Sequence, residues 1–70
     1  MAIEVAVQRL ELGDVVLVSP PGLDEQVEAR VIRDIDRTDT TVRVTLRVDG
    51  RDDFVKEYPL GDLVTVVRGP

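Results

Sequence analysis

The clearest pattern along the chain is the strict alternation of apolar and polar residues in the stretch "TTVRVTLRV" at positions 40–48. Val42, Val44 and Leu46 fall on one side of an extended backbone, and Arg43 and Arg47 fall on the other. A period of two residues is typical of a strand with one buried face and one solvated face. The pattern therefore predicts a half-buried strand over 40–48.

The next segment predicts a hairpin whose register can be worked out from the same pattern. Asp49-Gly50 favours a tight turn, and residues 52–58 then return as a second strand. A two-residue turn would place Leu46 opposite Asp53, whereas a three-residue loop places Leu46 opposite Phe54. The apolar pattern favours the longer loop. Its consequence is that Lys56 lies on the core face, with its stem packed and its ammonium at the rim.

The rest of the chain predicts further short strands separated by turns. Strands are expected at 14–18, 27–36 and 63–67, with a Pro/Gly-containing loop at 19–26 and a single turn at 59–62. Within 27–36 the apolar phase breaks at Ile32 and Ile35, which indicates a bulge or bend. The sequence thus predicts an all-β fold.

The first ten residues fit two structures. Ile3, Val5 and Val7 alternate as in a strand, while Ile3, Val7 and Leu10 also fit one face of a helix. The β preference of valine favours the strand. After it, Gly13 is expected to allow a turn, and Asp14 to accept hydrogen bonds from nearby backbone amides.

Composition narrows the chemistry. The 70 residues predict one domain, 1–70, and the chain has no cysteine and no histidine. Disulfides, thiolate metal sites, imidazole ligands and the usual general base are therefore excluded. Ser19, the only serine, has no histidine to activate it, so we expect no enzyme and no cofactor. No apolar run is long enough to span a membrane and no signal peptide is evident, so we expect a cytoplasmic protein.

The predicted strand order resembles the SH3-like small β-barrel, in which a short turn precedes the fifth strand. The stretch "LELGDVVLV" is similar to the start of KOW and Tudor-like members of that group. The matching positions are Leu12, Gly13, Asp14, Val16 and Val18. The resemblance implies a five-stranded barrel, here with a further strand at the N-terminus. A KOW-like domain would contact RNA or the transcription and translation machinery.

Three surfaces are candidates for binding. The first is a partner-binding edge formed by Ile3, Val5 and Val7, which exceeds what a five-stranded barrel needs. The second is an anion- or nucleic-acid-binding strip of arginines, and the third is a pair of acidic loops facing a basic partner. The strip comprises Arg30, Arg33, Arg43 and Arg47; the loops comprise Asp24, Glu25, Glu28, Asp49, Asp52 and Asp53.

Charge and aromatic content decide the order of the functional hypotheses. The net charge of −5 argues against a general nucleic-acid binder. Phe54 and Tyr58 are the only aromatic residues, too few for a methyl-lysine cage or a polyproline groove. The sequence therefore predicts a non-catalytic interaction or assembly module that binds another protein or forms a homo-oligomer. The alternative is a KOW-like module that contacts RNA through the arginine strip.

Overall fold

The computed structural model describes residues 1–20, 22–33 and 35–67. Position 21 of the predicted loop and position 34 of the predicted second strand lie outside the described residues. The strands are β1 (Ala2–Ala6), β2 (Val15–Val18), β3 (Val27–Val31), β4 (Asp36–Arg37), β5 (Thr41–Arg47), β6 (Phe54–Pro59) and β7 (Leu63–Val67). Every strand pairing is antiparallel, so the all-β prediction is confirmed.

The seven strands belong to one sheet in the order β1-β7-β2-β3-β5, with β4 and β6 also paired to β5. Leu46 of β5 pairs with Val31 of β3 and with Phe54 of β6, so β3 and β6 lie on opposite sides of β5. β4 pairs with β5 on the β3 side, further along the strand. Among the described residues, β1 and β6 are the two ends of the ladder. The sheet is therefore open, and the closed five-stranded ring of the sequence prediction is not formed.

The predicted hairpin register is confirmed. Leu46 pairs with Phe54, and Val44 pairs with Lys56, as the three-residue loop requires. The amide of Arg51 donates to the carbonyl of Val48 across this loop (3.1 Å). The register places Lys56 on the core side, half-buried, where its ammonium lies 5.5 Å from the centre of the Tyr58 ring. A cation above an aromatic face stabilises this position of the lysine.

The predicted phase break divides the second strand into two. β3 ends at Val31, and the chain leaves the regular ladder before resuming with Asp36 and Arg37. The amide of Ile32 still donates to the carbonyl of Thr45 (3.2 Å), so the irregularity begins one residue beyond β3. Because the described residues between β3 and β4, at 32, 33 and 35, belong to no strand, the direction of the chain can change here. The sequence prediction of a single strand over 27–36 is corrected to two strands.

The core lies on the inner side of this sheet and consists almost entirely of valine and leucine. Its residues come from every strand except β1, β4 and β6, which contribute half-buried side chains at most: Val7, Leu10, Val16, Val18, Ala29, Val31, Val42, Val44, Leu46, Val48, Val64 and Val66. A shared groove is lined by Lys56 and Tyr58 of β6, Val18 of β2 and Val64 of β7. The sheet therefore curls so that the inner side of β6 approaches β2 and β7.

The N-terminal segment is part of this core. β1 pairs with β7, which confirms the strand prediction, and the amide of Val7 extends the ladder by donating to Asp62 (2.8 Å). The chain then forms a 3₁₀ helix, Val7–Arg9. Val7 and Leu10 are 0% and 1% exposed. The prediction that Val7 belongs to an exposed partner-binding edge is thus wrong. The strand ends at Ala6, and the side chain of Val7 is buried in the core.

Two turns carry the conformations that their glycines predict. Gly13 has φ +88°, in the left-handed region that side chains with a Cβ rarely adopt. Asp14 closes this turn, since its carboxylate accepts from the amide of Glu11 (3.0 Å), as predicted. Gly61 has φ +89° in the single turn before β7, where Asp62 donates to the carbonyl of Pro59 (3.2 Å). In the part of the chain that is described, no helix has the length and apolar character needed to cross a membrane.

Candidate functional surfaces

The outer side of the sheet divides into a charged half and an apolar half. One line of paired residues crosses it from β1 to β5: Ala2, Val67, Val15, Arg30 and Arg47. Because residues directly opposite one another project to the same side of a sheet, this line marks where the surface changes character. The change occurs between β2 and β3.

On the charged half, two arginines of β5 pair with acidic residues, one within β6 and one directly before it. Arg43 lies 3.2 Å from the carboxylate of Glu57, and Asp36 is its cross-strand neighbour on β4. Arg47 donates from two nitrogens to the two oxygens of Asp53, at 3.0 and 3.3 Å. A forked guanidinium–carboxylate contact of this kind has a defined geometry. The guanidinium groups therefore lie in a mixed-charge surface.

The other two predicted arginines lie on the same half. Arg30 is directly opposite Arg47 and donates to the carbonyl of Gly13 (3.3 Å). Arg33 follows β3 and is close enough to Asp53 to contribute to lowering its pKa. The structure thus brings the four arginines of the predicted strip to one region, together with the carboxylates that partly neutralise them.

The hydrogen bond from Arg47 holds the pKa of Asp53 below its ordinary value. A lowered carboxyl pKa in the folded state means that the contact stabilises the fold above the unfolded-state pKa. That contribution is lost as the pH falls through the lowered value. Since both side chains are at the surface, the energetic effect is small.

This contact gives a first prediction. Arg47→Gln removes the charge-assisted hydrogen bond, so the pKa of Asp53 should rise toward that of an ordinary aspartate. A carbon-13 NMR titration of the side-chain carboxyl carbon measures it directly. Arg43→Gln is the matched control on the same strand and should leave the Asp53 titration unchanged. An unchanged Asp53 pKa in Arg47→Gln would show that the paired geometry does not persist in solution.

The apolar half is formed by three adjacent strands. We define the β1–β7–β2 face as the outward apolar residues of these strands: Ala2, Ala6, Val15, Leu17, Leu63 and Val67. Leu63 is 63% exposed, although it begins the largely apolar sequence run "LVTVV". Glu4 and Thr65 are the polar residues between them on β1 and β7. Apolar side chains gathered on one side of three strands are typical of a surface that contacts something else.

The remaining members of the predicted partner-binding edge face inward. Ile3 and Val5 are half-buried and pack against the core, opposite Val66 and Val64 of β7. At its free edge β1 therefore presents its backbone, and the side chains on its outer face are those of Ala2, Glu4 and Ala6. The apolar surface thus lies on the opposite side of β1 from the predicted residues, and it continues over β7 and β2.

The predicted acidic loops occupy two separate places in the chain. Asp24 and Glu25 lie in the exposed loop before β3, and Glu28 is exposed on β3. Asp49, Asp52 and Asp53 surround the β5–β6 hairpin loop. Within the described ranges, no group of three acidic side chains is placed to hold a metal ion. Asp53 of the second loop forms an ion pair with Arg47.

The groove beneath β6 collects several polar side chains. Its polar lining residues are Ser19, Gln26, Lys56, Tyr58 and Thr65. Burial raises the pKa of Tyr58, and the charge of Asp62 raises it further. The tyrosine therefore stays protonated well above neutral pH, as a hydrogen-bonding group and a platform for the lysine.

Two features were missed by sequence reasoning. The outward residues of β2 and β7 belong to the runs "VVLV" and "LVTVV", which do not alternate with polar residues. A continuous apolar strand is typical of a sheet that is covered on both faces. This signal could have revealed an apolar outer surface on β2 and β7. The second feature is Arg37, which donates to the carbonyls of Gln8 (3.1 Å) and Leu10 (2.9 Å). No local pattern predicts a contact over such a sequence distance.

Searches against protein-family models, curated proteins and solved structures found no match.

Proposed function

We propose that this chain is a non-catalytic SH3-like β-domain that binds another protein through the β1–β7–β2 face. The single observation that carries the proposal is the contrast between the two halves of the outer surface. On the outer side of β5 the sheet carries Arg43 and Arg47, each paired with a carboxylate. On β7 and β2 the same side carries apolar side chains, including Leu63.

The strand order supports the SH3-like part of the proposal. β2, β3, β5, β6 and β7 follow one another in the order expected of that fold, with β7 returning to pair with β2. A single turn separates β6 from β7. In this interpretation β1 is an additional strand. It pairs with the edge of β7 that β2 does not occupy. In this proposal the barrel is closed by side-chain packing between β6 and the strands β2 and β7, and not by a continuous ring of hydrogen bonds.

The energetic argument favours a protein partner. Covering apolar surface contributes about 25 cal/mol per Å², and such cover needs no specific chemistry. Leu63 and Val67 project from the last strand of the SH3-like order, and Val15 and Leu17 project from its first strand. A partner would therefore cover all four together. Interfaces of this kind have an apolar centre with a polar rim. Arg30 on β3 stands at such a rim, and Glu4 and Thr65 lie among the apolar residues of the face.

The alternative, a KOW-like contact to RNA through Arg30, Arg33, Arg43 and Arg47, has less support. Arg43 and Arg47 are engaged by Glu57 and Asp53. Binding a phosphate backbone would have to break or share these contacts, and the net charge of −5 opposes the approach of a polyanion. Phe54 and Tyr58, which could stack on bases, are half-buried on the inner side of β6.

Site-specific photo-crosslinking tests the protein-binding function. A photoreactive phenylalanine analogue at Leu63 should give a discrete protein adduct in cells of the source organism, because this position faces the partner. Val55 is the matched control, being 57% exposed against 63% for Leu63, but on the outer side of β6. It should give no such adduct. Equal labelling from the two positions, or none from either, would overturn the proposal.

A further inference from the structure

The outer edge of β1 presents unpaired backbone groups. The amide of Val7 donates to Asp62, which makes Val7 and Asp62 a hydrogen-bonded pair in the β1–β7 ladder. Hydrogen-bonded and non-hydrogen-bonded pairs alternate along an antiparallel ladder. The N–H and C=O groups of Ile3 and Val5 therefore face β7. The N–H and C=O groups of Ala2 and Glu4, and the N–H of Ala6, face away from the sheet, whereas the C=O of Ala6 lies at the N-cap of the 3₁₀ helix and is used there.

We infer that the partner contributes an extended segment that adds to β1 as a further strand, with a lysine or arginine opposite Glu4. The inference rests on the proposed function, because it names the chemistry of the same protein partner. Strand addition satisfies the outward backbone groups and gives affinity, while side chains at alternate positions give specificity. The segment would carry apolar residues beside Ile3 and Val5 and small residues beside Ala2 and Ala6.

Glu4 determines the charge of that segment. It is exposed, it lies on the outer side of β1 between two alanines, and it takes part in no ion pair among the described residues. Opposite charges placed directly across a strand pair stabilise it, and like charges destabilise it. The net charge of −5 extends the same preference over a longer distance.

The same residue disfavours a second copy of this chain as the occupant. Two β1 strands that overlap fully and antiparallel would pair Ala2 with Ala6 and Glu4 with the Glu4 of the second copy. The two carboxylates would then lie directly opposite each other. Charged residues on edge strands prevent this kind of edge-to-edge association. Glu4 therefore permits a basic strand and opposes a copy of its own.

The other free edge does not offer the same match. β6 is the opposite end of the ladder, and its outward acidic residue Glu57 already contacts Arg43 at 3.2 Å. Asp53, just before β6, is engaged by Arg47. A basic segment at β6 would gain less, because these carboxylates already have cationic partners. The charge argument thus selects β1 over β6.

Peptide probes test the inference. The probe is the acetylated and amidated peptide Ser-Thr-Val-Lys-Val-Thr-Ser, and its match is the same peptide with glutamate at the centre. In a nitrogen-15 NMR titration, the lysine peptide should bind about three- to tenfold more tightly than the glutamate peptide. Its largest shifts should fall on Ala2, Glu4 and Ala6. Glu4→Lys should reverse the preference between the two peptides.

Two further variants separate strand addition from general attraction. Glu28→Lys makes the same change of charge on β3 and should leave the peptide preference as in the native chain. Ala6→Pro removes an outward-facing donor at a residue whose φ of −66° already suits proline, so the thermal midpoint should not change. The lysine peptide should nevertheless bind at least about fivefold more weakly to it, because an edge hydrogen bond and the approach of the strand are lost.

Several outcomes would overturn the inference: no binding of the lysine peptide at millimolar concentration, the same effect from Glu28→Lys as from Glu4→Lys, or shifts centred on Val55. A native chain that dimerises through β1 in light scattering would replace the basic segment with a second copy. If these tests fail while the adduct at Leu63 still forms, strand addition is wrong and binding through the β1–β7–β2 face stands. If the adduct also fails to form, the proposed function is wrong as well.

Discussion

Leu10→Ala is expected to lower the free energy of unfolding by about 3 kcal/mol, a typical value for removing a leucine side chain from a packed core. Leu10 is 1% exposed and belongs to the main core cluster, although it lies outside every strand. A domain of 70 residues has a total stability of only about 4 to 10 kcal/mol. The variant should therefore be marginally folded. Urea unfolding followed by far-ultraviolet circular dichroism measures the change.

The chain supplies a matched control two residues away. Leu12 is 56% exposed, so Leu12→Ala makes the same chemical change without leaving a cavity. Its effect should stay within about 0.5 kcal/mol of the native stability. If the two variants have equal midpoints, the segment between β1 and β2 does not pack in solution as the structure places it. If both are unfolded, Leu12 has a structural role that its exposure does not reveal.

The β-hairpin shows how much of this fold follows from local sequence. The alternation over 40–48 fixes which face of β5 is buried, and a slip of one residue would place Asp53 instead of Phe54 opposite Leu46. That large difference in burial is why the register could be predicted. The bend after Val31 was predictable for the same reason, since Ile32 and Ile35 could not both keep the phase of one strand.

The N-terminal segment shows where such reasoning ends. Ile3, Val5 and Val7 alternate equally well, yet the first two belong to β1 and the third begins a 3₁₀ helix. The difference depends on contacts from distant parts of the chain. Gln8 accepts a hydrogen bond from the amide of Gly61 (3.0 Å), and Arg37 binds the carbonyls that follow Val7. Residues separated by so much sequence leave no period for a pattern to reveal.

The candidate binding surface was predicted in place but not in composition. Sequence reasoning identified β1 as an edge, and the structure leaves β1 at one end of the ladder. The inward residues Ile3 and Val5 were assigned to the surface because alternation alone does not say which side of a strand meets the core. Only the pairing of β1 with β7 decides this, since it sets Ile3 opposite the buried Val66. Leu63 could then be recognised as outward.

Arg37 connects the stability of the domain to the position of its free edge. Its guanidinium donates to the carbonyls of Gln8 and Leu10, on either side of the end of the 3₁₀ helix. The helix follows directly on β1, so this contact fixes where β1 ends and where Leu10 enters the core. Two bonds from one charged group to backbone acceptors can be stronger than an exposed ion pair, because a guanidinium binds both with one rigid fork.

Arg37→Ala is accordingly expected to lower the free energy of unfolding by about 2 kcal/mol, since hydrogen bonds involving a charged group contribute about 1.5 to 3 kcal/mol. Arg37→Lys should recover less than half of this loss, because a lysine cannot reach both carbonyls with fixed geometry. Arg43→Ala is the control: it breaks the exposed pair with Glu57 and should cost less than about 1 kcal/mol. Urea unfolding by circular dichroism compares the three variants.

The salt dependence separates the two kinds of arginine. The acceptors of Arg37 are carbonyl oxygens, so the cost of Arg37→Ala should change little between about 50 and 500 mM sodium chloride, whereas screening should reduce the small cost of Arg43→Ala. Full recovery by Arg37→Lys would mean that only the positive charge matters. In that case the fork from Arg37 does not hold the 3₁₀ helix, and the end of β1 must be fixed by Val7 and Leu10 through packing alone.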